Sequence, residues 1–264
     1  MKLGLQGKQA VVTGSTAGIG LAIASTLAEE GALVIINGRT EERVAAALDS
    51  LRQRTKSADV RGIAGDLGNS EGVARFIEQV PEADILVNNL GIFETKPFLE
   101  IPDSDWVRFF AVNVLSGVRL TRHFLPGMLR KNWGRVIFIA SESAQQIPAE
   151  MIHYGVTKTA QVALARGLAE SVAGTGVTVN SVLPGPTSSE GATSFVQGVA
   201  RRQGVSVAEI ERQFFATVRP SSLLKRFETP EEVAAVVAFV ASAQGAIING
   251  SAVRAEGGIL RSIL

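Results

Sequence analysis

Cysteine is absent from the chain, which excludes disulfides, thiolate catalysis and Cys-ligated metals. Histidine is almost absent, with only His123 and His153 present. A histidine zinc site is therefore not expected, no metal ligand is assigned, and a Ser-His-Asp triad would have to draw on one of these two. A surplus of charge is missing too: 26 Lys and Arg against 25 Asp and Glu leave a net charge of +1. Nucleic-acid binding, which needs a basic surplus on one face, has no support. The longest apolar stretches, such as Val233–Ala241, fall well short of the roughly 18 residues that span a bilayer. No apolar core follows Met1-Lys2-Leu3-Gly4-Leu5, so no signal peptide is read. The expectation is a soluble, cytoplasmic protein with neither a membrane nor a nucleic-acid partner.

What is present is a large apolar fraction, 46%, with 19% charged residues over 264 positions. Such a chain buries a sizeable core as one large α/β domain, residues 1–264. Apolar runs and helical patterns alternate. Gln9–Thr13, Leu33–Asn37, Val60–Ala64, Ile85–Asn88, Arg135–Ala140, Val177–Val182 and Ser251–Ala255 read as strands. Ile19–Glu30, Glu41–Arg54, Asp105–Arg130, Tyr154–Ala173 and Pro230–Ala243 read as helices between them. Strands separated by helices imply βαβ units with right-handed crossovers, hence a doubly wound parallel sheet flanked by helices, the Rossmann type. One stretch differs. After Pro184-Gly185-Pro186, residues 187–224 are rich in Ser, Gly and Arg, with short amphipathic helices at Phe195–Gln203 and Val207–Thr217. This stretch reads as an excursion covering the substrate side of the sheet edge.

The first strand runs into Thr13-Gly14-Ser15-Thr16-Ala17-Gly18-Ile19-Gly20 and then into a helix. A glycine-rich strand-to-helix turn lets backbone approach a pyrophosphate where unpaired N–H groups and the helix dipole favour negative charge. At the end of strand two, where an NAD enzyme places an acid on the ribose 2′-OH, the chain reads Asn37-Gly38-Arg39-Thr40. No carboxylate repels a 2′-phosphate, and Arg39 offers a fork of donors to one. NADP(H) is therefore expected over NAD(H). Further on, Tyr154 and Lys158 stand at i and i+4 on one helix face. Reducing a ketone by hydride transfer creates an alkoxide that must receive a proton, and a phenol near an ammonium is suited to supply it.

With Ser141 thirteen residues before Tyr154, and Asn113 in Val112-Asn113-Val114, the whole chain resembles the short-chain dehydrogenase/reductase family, and within it the 3-oxoacyl-ACP reductase-like members. The glycine spacing, Gly-x-x-x-Gly-x-Gly, is that family's. The resemblance implies that Gly14, Gly18 and Gly20 line the phosphates with Ser15 and Ile19 beside them. It implies that Asp66, next to Leu67, binds the adenine, and that Asn89 and Gly91 pass close to the adenosine, with Leu90 a departure from the family's alanine. Pro184, Gly185 and Thr187 would border the nicotinamide. Tyr154 would be the general acid in reduction and base in oxidation. Lys158 would lower its pKa and hold the ribose, Ser141 would polarise the substrate oxygen, and Asn113 would hold a water in the proton relay. The family's habit implies a homo-oligomer, tetramer or dimer, through the long helices.

Other residues are read more modestly. Glu142 and Glu150 are expected to pair at a surface or interface. Arg201, Arg202, Arg212 and Arg219 form a possible entrance patch for an acyl-carrier-protein substrate. His153 is expected to point away from the site, His123 to be structural, and Trp106 and Trp133 to pack. The second reading of the chain is a non-catalytic NADP(H)-binding sensor of the same fold. Such proteins typically lose the Tyr or the Lys, and both are kept here. The expected outcome for Tyr154→Phe is loss of turnover with NADPH binding nearly intact; near-normal activity in that variant would remove Tyr154 from the chemistry.

Overall fold

The computed structural model describes residues 2–55 and 59–263. Its centre is a seven-stranded, all-parallel sheet in the order β3-β2-β1-β4-β5-β6-β7. The strands are β1 (Gln9–Val12), β2 (Leu33–Gly38), β3 (Val60–Ala64), β4 (Ile85–Asn88), β5 (Gly134–Ile139), β6 (Val177–Pro184) and β7 (Ala252–Ala255). Inner strands are covered on both faces, so they carry continuous apolar runs such as Ile-Leu-Val in β4 and Val-Ile-Phe-Ile in β5. At the edge, β3 buries Val60 and Ile63 and leaves Arg61 exposed.

Alternation along each strand divides the core into two layers. On one face Val12, Ile36, Val87 and Ile139 pack under helices α1 (Gly18–Glu29), α2 (Glu41–Thr55) and α9 (Pro230–Ala241). On the other, Val11, Leu86, Val136 and Phe138 pack under α3 (Ser70–Gln79), α5 (Ser116–Arg130) and α6 (Ile152–Ser171). The helix α9 starts on a capping box in which Thr229 and Glu232 each accept the other's backbone N–H, at 3.2 and 2.9 Å.

The expected helix over 105–130 is not one regular element. It comprises α4 (Asp103–Phe110), a π-helical turn at Ala111–Leu115, and α5. Helical periodicity survives one wide turn, which is why the sequence reads straight through it. The excursion holds α7 (Glu190–Gln203), which begins earlier than expected, and α8 (Val207–Thr217). It closes on its own small core of Val196, Ala200 and Ile210, with Phe214 stacked on Phe227 at 5.2 Å. The backbone N–H groups of Leu223 and Leu224 then tie it to the carbonyl of Gly257.

Strand order reverses between β1 and β4, and in open parallel sheets the crevice beyond the C-terminal ends at that point is where ligands bind. Phe138, fully buried on β5 and in contact range of any side chain added at Gly117, supports the sheet beneath this crevice. Phe138→Ala is expected to lower unfolding free energy by about 3–5 kcal/mol, measurable as a shift in urea midpoint.

Candidate active site

The two loops that meet at the reversal are pinned by one side chain. The hydroxyl oxygen of Thr13, at the end of β1, accepts the backbone N–H groups of Asn89 (3.0 Å) and Leu90 (2.9 Å), just past β4. Asn89 returns the contact: its amide donates to the carbonyls of Thr13 (2.9 Å) and Gly14 (3.0 Å). Gly14 and Gly18 have φ of +58° and +55°, which glycine adopts without strain. A Cβ on Gly20 would lie 2.5 Å from the Asn89 amide and 2.6 Å from the Gly14 carbonyl. The glycines thus serve both the backbone path and the close approach of α1.

Helix α1 begins after Ala17 with no side-chain cap and no acidic residue in its first turn. Its first N–H groups and positive dipole end are left for an anion. They face a cleft of about 630 Å³ lined by Ala17, Gly18, Ile19 and Gly20 at one end and Ser141, Tyr154 and Lys158 at the other. Pro184, Gly185 and Thr187 form a further part of its wall. A second hollow of about 270 Å³, sharing Ala17, Arg43, Asn89 and Gly91, is lined by Gly14, Gly38, Arg39, Leu67 and Leu90.

Three expected residues do not reach these walls. Ser15 is fully buried; its hydroxyl donates to the Val12 carbonyl and accepts from Asn37 N–H. Asp66 holds the turn into α3, accepting from Gly68 N–H at 2.9 Å and the Asn69 amide at 3.2 Å. Asn113 lies behind the cleft, in the π-helical turn. Its side chain accepts from Ile92 N–H (2.8 Å) and donates to the Ile92 carbonyl (3.0 Å) and the Thr157 hydroxyl (2.9 Å). Asn113 therefore links α4–α5, α6 and the loop after β4. Sequence reasoning missed Arg43, in the first turn of α2, which lines both hollows. Its nearness in sequence to Arg39, which precedes that helix, was the available signal.

At the far end, Tyr154 stands edge-on to Phe93 at 6.4 Å, and the Lys158 ammonium nitrogen lies 5.6 Å from the Tyr154 ring centre. Lys158 is buried and donates to the Ile139 carbonyl at 2.8 Å. Burial pulls its pKa down to about 7. Burial pushes the Tyr154 phenol up, against a lowering hydrogen bond from Ser141. Nearby, Glu228 accepts the Gly185 N–H at 3.1 Å, and burial raises its pKa to about 7.

Glu142 is not at a surface. It is buried beside Ser141 and paired with buried Arg219, whose Nε donates to Oε1 at 3.0 Å. This also removes Arg219 from any entrance patch. His153 packs away from the cleft, 4.0 Å from Phe109 between ring centres, and neither ring nitrogen has a hydrogen-bond partner among the described residues. Glu256 is buried as well, accepting Leu260 N–H and Arg254 Nε. Among the described residues no cluster of three His, Asp or Glu is placed to hold a metal, and no helix is long and apolar enough to cross a membrane.

The buried titrating pair has opposite linkage. Glu228 holds its proton more tightly when folded, so its contribution to stability falls as pH rises from 4.5 to about 7. Lys158 holds its proton less tightly when folded, so its contribution falls as pH drops from 10.5 to about 7. Denaturation midpoints measured across pH should show Glu228→Gln flattening the acid limb and Lys158→Met the alkaline limb. Unchanged slopes in both variants would contradict these assignments.

Comparison with known proteins agrees with this architecture. Residues 8–200 match the family model described as short chain dehydrogenase. The chain is 51% identical to the Bacillus subtilis (strain 168) protein named Uncharacterized oxidoreductase YvaG, over the full length of both. It is 34% identical to D-beta-hydroxybutyrate dehydrogenase of Cupriavidus necator, covering 96% of this chain and 98% of the other. L-sorbose reductase from Gluconobacter frateurii, solved with NADPH and L-sorbose, superimposes with a TM-score of 0.94 at 32% identity over all of both chains. The chain is a member of the short-chain dehydrogenase/reductase family of oxidoreductases.

Proposed function

We propose that the protein is an NADP(H)-dependent oxidoreductase that interconverts a ketone and a secondary alcohol in a small molecule. The observation that carries this reading is the cleft itself, with an uncapped helix N-terminus at one end and Ser141, Tyr154 and Lys158 together at the other.

The chain's own residues fit a dinucleotide. Gly14, Gly18 and Gly20 keep the turn free of side chains, and the orphan N–H groups of α1 suit a pyrophosphate. Arg39 and Arg43 stand beside Gly38, where a carboxylate would otherwise exclude a 2′-phosphate. The NADPH of the L-sorbose reductase structure supports the same choice. When bound, the nicotinamide exchanges a hydride with the substrate carbon.

Tyr154 donates the phenolic proton to the substrate oxygen in reduction and takes it back in oxidation. Its raised pKa keeps that proton in place in the free protein, as a general acid requires. The base role needs positive charge beside the phenol. Lys158, which titrates near neutrality, supplies that charge from the same helix face. Ser141 hydrogen-bonds the substrate oxygen. Asn113 holds the Ile92 backbone and α6 in register behind them. Ile92 and Phe93 present an apolar wall to the substrate. In this reading the protein is cytoplasmic and forms a homo-oligomer, tetramer or dimer, through α4–α5 and α6.

The test is oxidation of NADPH against NADH, followed by absorbance, over simple ketones, ketoses, β-keto esters, a 3-oxoacyl thioester, cyclic diketones and steroids. NADPH turnover is expected on at least one class. Arg39→Ala should weaken NADPH by about 10- to 100-fold, the worth of one charge-assisted hydrogen bond, with NADH little changed. NADH preference in the unaltered protein would overturn the cofactor assignment. Tight NADPH binding without turnover on any class would favour a sensor.

A further inference from the structure

The residue after Ser141 has no role in the chemistry above, yet its carboxylate is buried in the site. Glu142 is 4% exposed, and every contact it makes with a side chain or N–H is one it accepts. Ser141 Oγ donates to its Oε2 at 2.5 Å, Ser143 N–H at 2.9 Å and Ser143 Oγ at 3.2 Å. Arg219 Nε donates to Oε1 at 3.0 Å. Four donors around one acid suit a carboxylate, which only accepts.

A serine hydroxyl has one proton and two lone pairs. Here the proton lies on Glu142 and one lone pair accepts the Ser143 N–H at 3.1 Å, so Oγ keeps one lone pair for the cleft. That surface complements an O–H, whether of Tyr154 or of an alcohol. It does not complement a carbonyl oxygen or a tyrosinate, each of which needs the serine proton and so must draw the hydroxyl off Glu142; the hydrogen bond by which Ser141 lowers the Tyr154 pKa is of this second kind. Arg219 in turn belongs to the excursion. It follows α8, its N–H donates to the Phe214 carbonyl at 3.0 Å, and its NH1 donates to the Val218 carbonyl at 3.0 Å.

We propose that Glu142, clamped by Arg219, is a positioning residue that sets which way the Ser141 proton points and ties that orientation to the segment covering the substrate. The proposal rests on the oxidoreductase reading for the roles of Ser141 and Tyr154. Two further facts connect the pair to Tyr154. The charge of Glu142 raises the Tyr154 pKa and that of Arg219 lowers it. The charged groups facing Tyr154 are then Lys158 on its own helix, Glu142 after β5 and Arg219 after α8. Phe93, from the loop after β4, is uncharged. Glu228 stands next outward, near enough for Glu142 to raise its pKa.

Tyr154 is the only tyrosine in the chain, so its ionisation is readable without substrate or cofactor. Protein labelled with 13C at the tyrosine ring gives one signal, to be titrated with pH in the unaltered protein, Glu142→Gln, Arg219→Met and Arg219→Lys. Circular dichroism and thermal midpoints establish folding. Glu142→Gln leaves the guanidinium uncompensated, and its titration should move to lower pH, giving several-fold more tyrosinate at a fixed alkaline pH. Arg219→Met leaves the carboxylate uncompensated, and its titration should move to higher pH. Arg219→Lys keeps the charge and should stay near the unaltered protein.

In a Ser141→Ala background the effect of Glu142→Gln should shrink, because part of it passes through the hydroxyl. Shifts in the same direction, or no shift alongside altered thermal midpoints, would mean a purely structural ion pair and overturn the proposal. An undiminished shift without Ser141 would leave only charge acting through space, and would overturn the positioning role. If Arg219→Met does not fold, Glu142→Gln and Arg219→Lys still decide. Absence of turnover with either cofactor would sink the oxidoreductase reading and leave this titration unaffected.

Discussion

The site depends on the hydrogen bonds that join the end of β1 to the end of β4. Four of them run from Asn89 and Leu90 to Thr13 and Gly14, across the point where strand order reverses. Each replaces a contact to water that these backbone groups would otherwise need, at a place where the sheet can no longer supply partners. They hold the glycine turn against the loop carrying Gly91 and Ile92, and Ile92 in turn is held by Asn113. The glycine-turn end and the Tyr154–Lys158 end of the cleft are therefore parts of one continuous hydrogen-bonded frame.

Burial on both faces of a parallel sheet explains where the chemistry can and cannot be. The one guanidinium that a strand carries into this interior among the described residues, Arg135, is met by the carbonyls of Gly134, Gly176 and Ser242. Polar side chains with work to do collect instead at the strand ends. There the same burial acts on acids and bases in opposite senses, lowering Lys158 and raising Tyr154 and Glu228. A fold that buries its sheet this completely shifts these groups as a consequence of its packing.

Much of this was legible in the sequence because the signals are local. Apolar runs of four to eight residues bounded by glycines mark doubly covered strands, and β1 through β6 fall close to where those runs lie. The glycine turn and the Tyr154–Lys158 spacing are likewise local. What escaped depends on which partner each side chain takes, near or far along the chain. Glu142 reads as a surface acid until Arg219, 77 positions away, is brought against it. Asp66 and Ser15 carry side chains suited to a ligand, yet their hydrogen bonds go to neighbouring backbone and the Asn69 amide. Arg43, in the first turn of α2, lines the second hollow together with Arg39, which precedes the helix.

The π-helical turn at Ala111–Leu115 sets how the chain can vary in length. An α-helix advances about 100° per residue, from 3.6 residues per turn. A deletion in regular helix passes that rotation to everything downstream, whereas this wide turn holds one extra residue locally. Removing that residue would leave Leu120, Phe124 and Met128 facing the sheet, and the loss would fall on Asn113 and its alignment with Ile92. A one-residue change of length at 111–115 is therefore felt at the cleft, and the same change within α5 is felt in the core. The connection after β6 carries helices of its own, so a change in its length must keep the Phe214–Phe227 stack and the Arg219–Glu142 pair in place.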